Sequence, residues 1–304
     1  MRILTLLLLY TFLLSSPLQL KVELLPHKEV YFQGEPIGVK LILKNISSRN
    51  LVCTPVALAN FEIYYHTAEK KIKLTKLIQS YPNVIRWLKG IGCDTLMPGD
   101  SIIRYKNLTL YYGIGELTGV YEISKINYRA SEPQFLPEHE ITVPYWVGEV
   151  AIVPKLAVKI TEPTGMERNA YSIYKRIKEA QFDPKVAFPW CLQLLEKFPR
   201  SPYAPIGGLC YFSNTYRFNN ELNLLTIDEA INFGENLVRR YPNSPIISEI
   251  ILKLNSLYSI NNTEPLSTRG RSFFHTIADN NANTVAEICI QTCFPELFNV
   301  EKGK

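Results

Sequence analysis

Apolar and polar residues alternate along the first half of the chain, and along the second half apolar residues recur every three to four positions. From Val22 to Ile160 the period is two, interrupted by turn residues. Ile37, Val39, Leu41 and Leu43 alternate with Gly38, Lys40 and Lys44, and Ile42 is the one apolar residue on the wet side. Phe61 to His66 alternates again, as does Leu156 to Ile160. Gly34-Glu35-Pro36, Asn45 to Asn50, Met97-Pro98-Gly99-Asp100 and Glu132-Pro133 supply the turn chemistry between them. Roughly seven short strands, each with one wet face, predict an antiparallel two-sheet sandwich. Gly119-Val120-Tyr121, a tyrosine just after a glycine turn, fits a tyrosine corner or an ordinary core tyrosine.

After Thr161-Glu162-Pro163-Thr164-Gly165 the period changes to 3.6. Ala170, Tyr171, Tyr174 and Ile177 outline a first helix. Asp183-Pro184 caps a second, which carries Ala187, Cys191, Leu194, Leu195 and Phe198 on one face. Pro189 predicts that this helix kinks or begins only at Phe188. Thr226 and Glu229 form a capping box ahead of a stripe running from Ile227 through Val238 to Tyr241. Two near-copies of one phrase, Phe198-Pro199-Arg200-Ser201-Pro202 and Tyr241-Pro242-Asn243-Ser244-Pro245, lie 43 residues apart. Each is a helix stop joined to a helix start, with a serine before a proline as the expected cap. Superposing the copies places Ala187 on Ala230 and Cys191 on Gly234, as interlocking hairpins need. Ser267 to Phe298 is expected to add a further helix pair that caps the array.

Two resemblances follow from these motifs. The order Tyr31 to Ile37, Leu43 to Ser47, Leu96 to Asp100 and Gly119 to Tyr121 resembles exported bacterial immunoglobulin-like or macroglobulin-like domains. It is also similar to the bacterial proteinase-inhibitor domain, which implies a loop that blocks a protease. The helices ending in Phe-Pro or Tyr-Pro before Ser-Pro resemble the tetratricopeptide-like repeats of bacterial envelope proteins, although the offset departs from the usual period of about 34. That resemblance implies a protein-binding scaffold. The expected fold class is therefore multi-domain, all-β plus all-α. It comprises a leader over residues 1–20, an immunoglobulin-like sandwich over 21–162, a hinge over 163–166 and a tetratricopeptide-like array over 167–304.

The ends and the composition refine this. Arg2, the apolar run Ile3 to Leu14 and Ser15-Ser16-Pro17 have the parts of a secretory signal, cut between Ser15 and Lys21 or retained as an anchor. The chain is then exported to the periplasm, cell surface or medium, with membrane contact only through an uncleaved N-terminal segment. A net charge of +5 with dispersed basic residues argues against nucleic acid as a partner. The run Lys70-Lys71-Lys73-Lys76 reads as a solvated strand edge. Of the six cysteines, Cys53 and Cys93 are placed to bridge two strands. Cys191 and Cys210 flank a turn nearly symmetrically and fit either a bridge or two small residues where helices approach closely. Cys289 and Cys293, one helical turn apart, read as buried thiols.

No chemistry-bearing pattern emerges. The four histidines have no second ligand at metal spacing, and Glu138-His139-Glu140 reads as a surface charge cluster. No cofactor is implied. The expected function is a non-enzymatic protein-binding or scaffolding module of the bacterial cell envelope, engaging another protein or peptide. Trp190, Tyr203, Tyr211 and Tyr216 are the candidate aromatic contacts. The alternative is a protease inhibitor acting through the N-terminal sandwich.

Overall fold

A computed structural model describes residues 18–25, 27–53, 60–75, 94–136, 141–152, 156–180, 183–215, 225–260, 267–294 and 297–298. In chain order its strands before the first helix are β1 (Leu18–Leu25), β2 (Val30–Phe32), β3 (Gly38–Asn45), β4 (Leu51–Cys53), β5 (Asn60–His66), β6 (Lys71–Lys73), β7 (Asp94–Leu96) and β8 (Ser101–Asn107). A short helix α1 (Leu108–Tyr112) precedes β9 (Gly119–Leu136), β10 (Ile141–Ile152) and β11 (Leu156–Thr161). Helices α2 (Gly165–Glu179), α3 (Pro184–Lys197), α4 (Ala204–Thr215), α5 (Ile227–Arg240), α6 (Ile247–Ser259), α7 (Thr268–Asn280) and α8 (Val285–Cys293) follow. The expected leader lies almost wholly outside the described residues, as do Cys93, Tyr216 and the Glu138-His139-Glu140 cluster.

The alternation in β3 becomes a buried face of Val39, Leu41 and Leu43, with Lys40 and Ile42 half-buried and Lys44 exposed. β3 lies between β1 and β8 in a three-stranded antiparallel sheet. The second sheet is organised around β9, an 18-residue strand that pairs with β11, β5, β4 and β10 along its length. Side chains from both sheets meet in one core that includes Leu41, Ile63, Ile123 and Val158. Burying each such side chain contributes about 1.5–3 kcal/mol. Among the described residues β6 pairs only with β5 and is exposed throughout, so Lys71 and Lys73 mark a solvated edge there.

The expected fold class is corrected here. The molecule is a mixed α/β assembly, with eight helices among the described residues and a second sheet that combines parallel and antiparallel pairing. It is not an immunoglobulin-like sandwich followed by an all-α tetratricopeptide-like array. β2 runs parallel to β11, pairing Val30 with Lys159 and Phe32 with Thr161. Period-two patterning shows which side of a strand faces inward but carries no record of its partner or direction. The helices are not a free-standing array either. In such an array each unit touches only its neighbours, whereas here Leu25 and Tyr105 of the sheets pack into the helical core. α8 lies against α6, α7 and β8.

Several local expectations fare differently. Leu117 N–H donates to the Tyr121 hydroxyl at 3.1 Å, and that hydroxyl donates to Leu117 O at 3.0 Å. The corner contact is present, although the fold around it is not immunoglobulin-like. Tyr121→Phe should cost about 1 kcal/mol in urea melts; a variant as stable as the wild type would remove any structural role for the corner. The capping box is complete, with Glu229 N–H to Thr226 Oγ1 at 3.3 Å and Thr226 N–H to Glu229 Oε2 at 2.7 Å. Pro189 neither starts nor ends a helix: α3 begins at Pro184 and runs through it. Five residues of helix precede Pro189, so the missing N–H removes one bond from a turn already nucleated. Cys289 is buried as expected, but Cys293 is exposed.

Candidate functional site

The two repeated phrases fold alike. Phe198 N–H bonds Leu194 O at 3.0 Å and Tyr241 N–H bonds Leu237 O at 2.9 Å, closing α3 and α5 in the same way. Ser201 N–H returns to Phe198 O at 3.0 Å, and Ser244 N–H to Tyr241 O at 2.9 Å. Ala204 N–H then bonds Ser201 O at 3.1 Å, and Ile247 N–H bonds Ser244 O at 3.0 Å, opening α4 and α6. The Ser201 hydroxyl accepts from Tyr203 N–H at 3.4 Å, the bond expected of a capping serine before Pro202. The same hydroxyl donates to Glu167 Oε2 at 2.6 Å.

The turns are tied to each other and to the sheets. Tyr241 OH donates to Pro199 O at 3.1 Å, which links the second turn to the first. Ala286 N–H at the start of α8 donates to Pro242 O at 2.9 Å. Pro245 O receives both Tyr105 OH at 2.6 Å and Asn107 Nδ2 at 3.2 Å. Asn107 is 3% exposed, and its Oδ1 also accepts from Leu110 N–H at 2.9 Å, so one buried amide caps α1 and holds the second turn. The first turn is held by Tyr203 OH, which donates to Gln33 O at 2.7 Å.

These ties enclose a cleft of about 700 Å³ between the two turns and the Glu35-Pro36 segment that follows β2. Its walls carry six prolines, Pro36, Pro199, Pro202, Pro205, Pro242 and Pro245. Proline removes a donor and fixes φ, so the walls are stiff and largely apolar. Arg200 and Arg240 stand exposed on the rim. Among the described residues no carboxylate comes within salt-bridge distance of either guanidinium.

Glu35 is the acid of the cleft and is 1% exposed. Lys28 Nζ pairs with its Oε1, and Phe32 N–H donates to Oε2 at 3.0 Å. Burial pushes its carboxyl above the usual range, and the Lys28 and Phe32 contacts offset part of that. Gly34 makes the turn possible: its φ is +79°, and a Cβ there would stand 2.5 Å from the Tyr174 ring. Glu35 is thus a satisfied structural acid, and the cleft lining holds no histidine or cysteine. Among the described residues no group of three or more His, Cys, Asp or Glu is arranged to hold a metal. A second cavity of about 450 Å³ lies at the same junction, between Tyr174, Leu110 and Ile206, and the Lys178–Glu116 ion pair contributes to its wall.

The aromatic candidates do not converge on this cleft. Tyr203 is fully buried and holds the junction, so it is not a contact for a partner. Trp190 is half-buried beneath the Arg176 guanidinium, 4.5 Å from its ring. Tyr211 packs between Phe188 and Phe233, with ring centroids 4.9 and 5.1 Å away. Tyr216 lies outside the described residues. Cys53 pairs through its backbone with Asp94, and Cys93 lies outside the described residues. Sequence reasoning missed Arg200, Arg240 and Glu35. The repeat did point to the turns that carry the two arginines, but nothing marked Glu35 as more than a turn residue. No protein-family model matches the chain, and no curated protein matches it.

Proposed function

We propose that this protein is a non-enzymatic binding or scaffolding module of the bacterial cell envelope, and that its cleft holds an extended acidic segment of another polypeptide. The observation that carries the reading is the convergence of two copies of one turn and the Glu35-Pro36 segment on a stiff, proline-walled cleft. Rigid walls lose little conformational freedom on binding. The carbonyls of Pro199, Pro242 and Pro245 are already bonded within the protein, which leaves the rim guanidiniums to select the ligand. Arginine presents a planar fork of donors suited to carboxylates. The apolar run Ile3 to Leu14 after Arg2, read as an export signal, supports a role for such a module outside the cytoplasm. β1 pairs with β3 from Leu18 onward, so cleavage before Leu18 preserves the whole ladder.

Fluorescence anisotropy with labelled peptides of equal length and acidic, neutral or basic composition tests the reading. The acidic set should bind, and Arg200→Glu with Arg240→Glu should weaken that binding at least tenfold, since a charge-assisted contact contributes about 1.5–3 kcal/mol. Equal binding of all three sets, or indifference to the charge reversal, would sink the proposal. Inhibition of a protease panel by the double variant, with no peptide bound by the wild type, would favour the inhibitor reading instead.

A further inference from the structure

Cys191 in α3 and Cys210 in α4 flank the turn that forms one wall of the cleft. Cys191 is fully buried and Cys210 is 6% exposed, and both belong to the core that α2, α3 and α4 share. Their thiols are hydrogen-bonded to each other. The backbone enforces this approach. A Cβ at Gly207, one turn before Cys210, would stand 3.1 Å from Cys191 O and 3.3 Å from the Leu194 side chain. A side chain at position 207 would crowd α3 by a few tenths of an ångström, so glycine there favours the close approach of α4 in which the two thiols meet. Cys289 and Cys293 offer no such arrangement, being one turn apart on a single helix with one thiol buried and the other exposed.

We propose that Cys191 and Cys210 are an oxidisable pair that closes to a disulfide stapling α3 to α4. The oxidant is a small-molecule or protein disulfide, with oxidised glutathione as the simplest case. The Cys210 thiolate attacks one glutathione sulfur, which forms a mixed disulfide and expels one glutathione thiolate. The Cys191 thiolate then attacks the Cys210 sulfur, forming the Cys191–Cys210 bond and expelling the second glutathione. The protein loses two electrons and two protons, and the oxidant becomes two thiols. In the folded chain the Cys210 hydrogen bond and burial hold the Cys191 thiol well above the ordinary thiol range. The reaction therefore belongs to folding or to transient opening, after which the core shields the bond from reductants. Closing the loop of 18 intervening residues fixes the Phe198–Pro202 turn between the two helices. The inference does not depend on what the cleft binds.

The test is to refold the full chain in reduced and oxidised glutathione, block remaining thiols with N-ethylmaleimide in denaturant, and map the digested peptides. A Cys191–Cys210 linked peptide should dominate. The oxidised protein should melt about 5 °C above the same sample after reduction. The Cys191→Ser, Cys210→Ser double variant should show no redox-dependent shift. Maleimide on both Cys191 and Cys210 after oxidative refolding would overturn the proposal, as would preferential linkage of either to another cysteine. A linked species that melts below the reduced one would overturn it too, because the bond would then strain the hairpin it is argued to staple.

Discussion

Glu235→Ala should destabilise the protein by about 3 kcal/mol in urea unfolding. Glu235 lies in α5, and its side chain is 8% exposed. Its Oε1 accepts from Tyr258 OH at 2.8 Å and from Arg269 Nε at 2.9 Å, and its Oε2 accepts from Arg239 Nη2 at 3.1 Å. Alanine removes every one of these acceptors at once. The Tyr258 hydroxyl, on a residue 2% exposed, loses its bond to a charged acceptor, which costs about 1–3 kcal/mol. The two guanidiniums are 41% and 51% exposed, so solvent recovers part of their loss and keeps the total near the lower end for a broken buried pair. Glu235→Gln retains an oxygen for Tyr258 but not the charge, and should cost about half as much. An alanine variant within about 0.5 kcal/mol of wild type would show that the network holds nothing together.

That network also shows what the sequence made legible. The stripe on α5 and its capping box were readable because both depend on contacts within four residues. Glu235 was not, because its partners Tyr258 and Arg269 lie on two other helices. The cleft follows the same division. The repeated phrase was visible as two similar turns, and both turns have the same backbone bonding. Their third wall, Glu35-Pro36, is more than 160 residues away from either phrase and looked like any other turn. Tyr203 illustrates the converse error. An aromatic beside a Ser-Pro turn suggested an exposed anchor, yet the carbonyl it meets belongs to Gln33 and draws it inside. The parallel pairing of β2 with β11 was illegible for the reason that undid the expected fold class: alternation encodes a face and leaves the neighbour open.

The junction joins sheets and helices through hydrogen bonds as well as packing. Pro245 O takes two donors from β8, and Gln33 O takes one from the segment leading into α4. Each tie is a single hydrogen bond held in place by tight packing around the donor. A change that displaces a donor should thus alter the cleft without touching any residue that lines it.

Gly38→Ala makes that change with one methyl group. Gly38 is buried in β3, and a Cβ there would stand 2.2 Å from the Tyr105 hydroxyl oxygen and 2.5 Å from the nearest ring carbon. A rigid ring cannot yield locally as a flexible chain end would, so Tyr105 must move as a whole. Its hydroxyl then leaves Pro245 O, 2.6 Å away in the native state. Overpacking costs about 1–3 kcal/mol and the lost bond about 1 more, for an expected loss near 3 kcal/mol in urea unfolding. Binding of the acidic peptide set should fall as well, since the second turn loses one of its two ties to β8. Tyr105→Phe removes the atom nearest the new methyl, so the double variant should be less destabilised than the two single losses added together. Strict additivity, or a Gly38→Ala protein that melts and binds like wild type, would mean that the Tyr105 tie does not hold the turn in place.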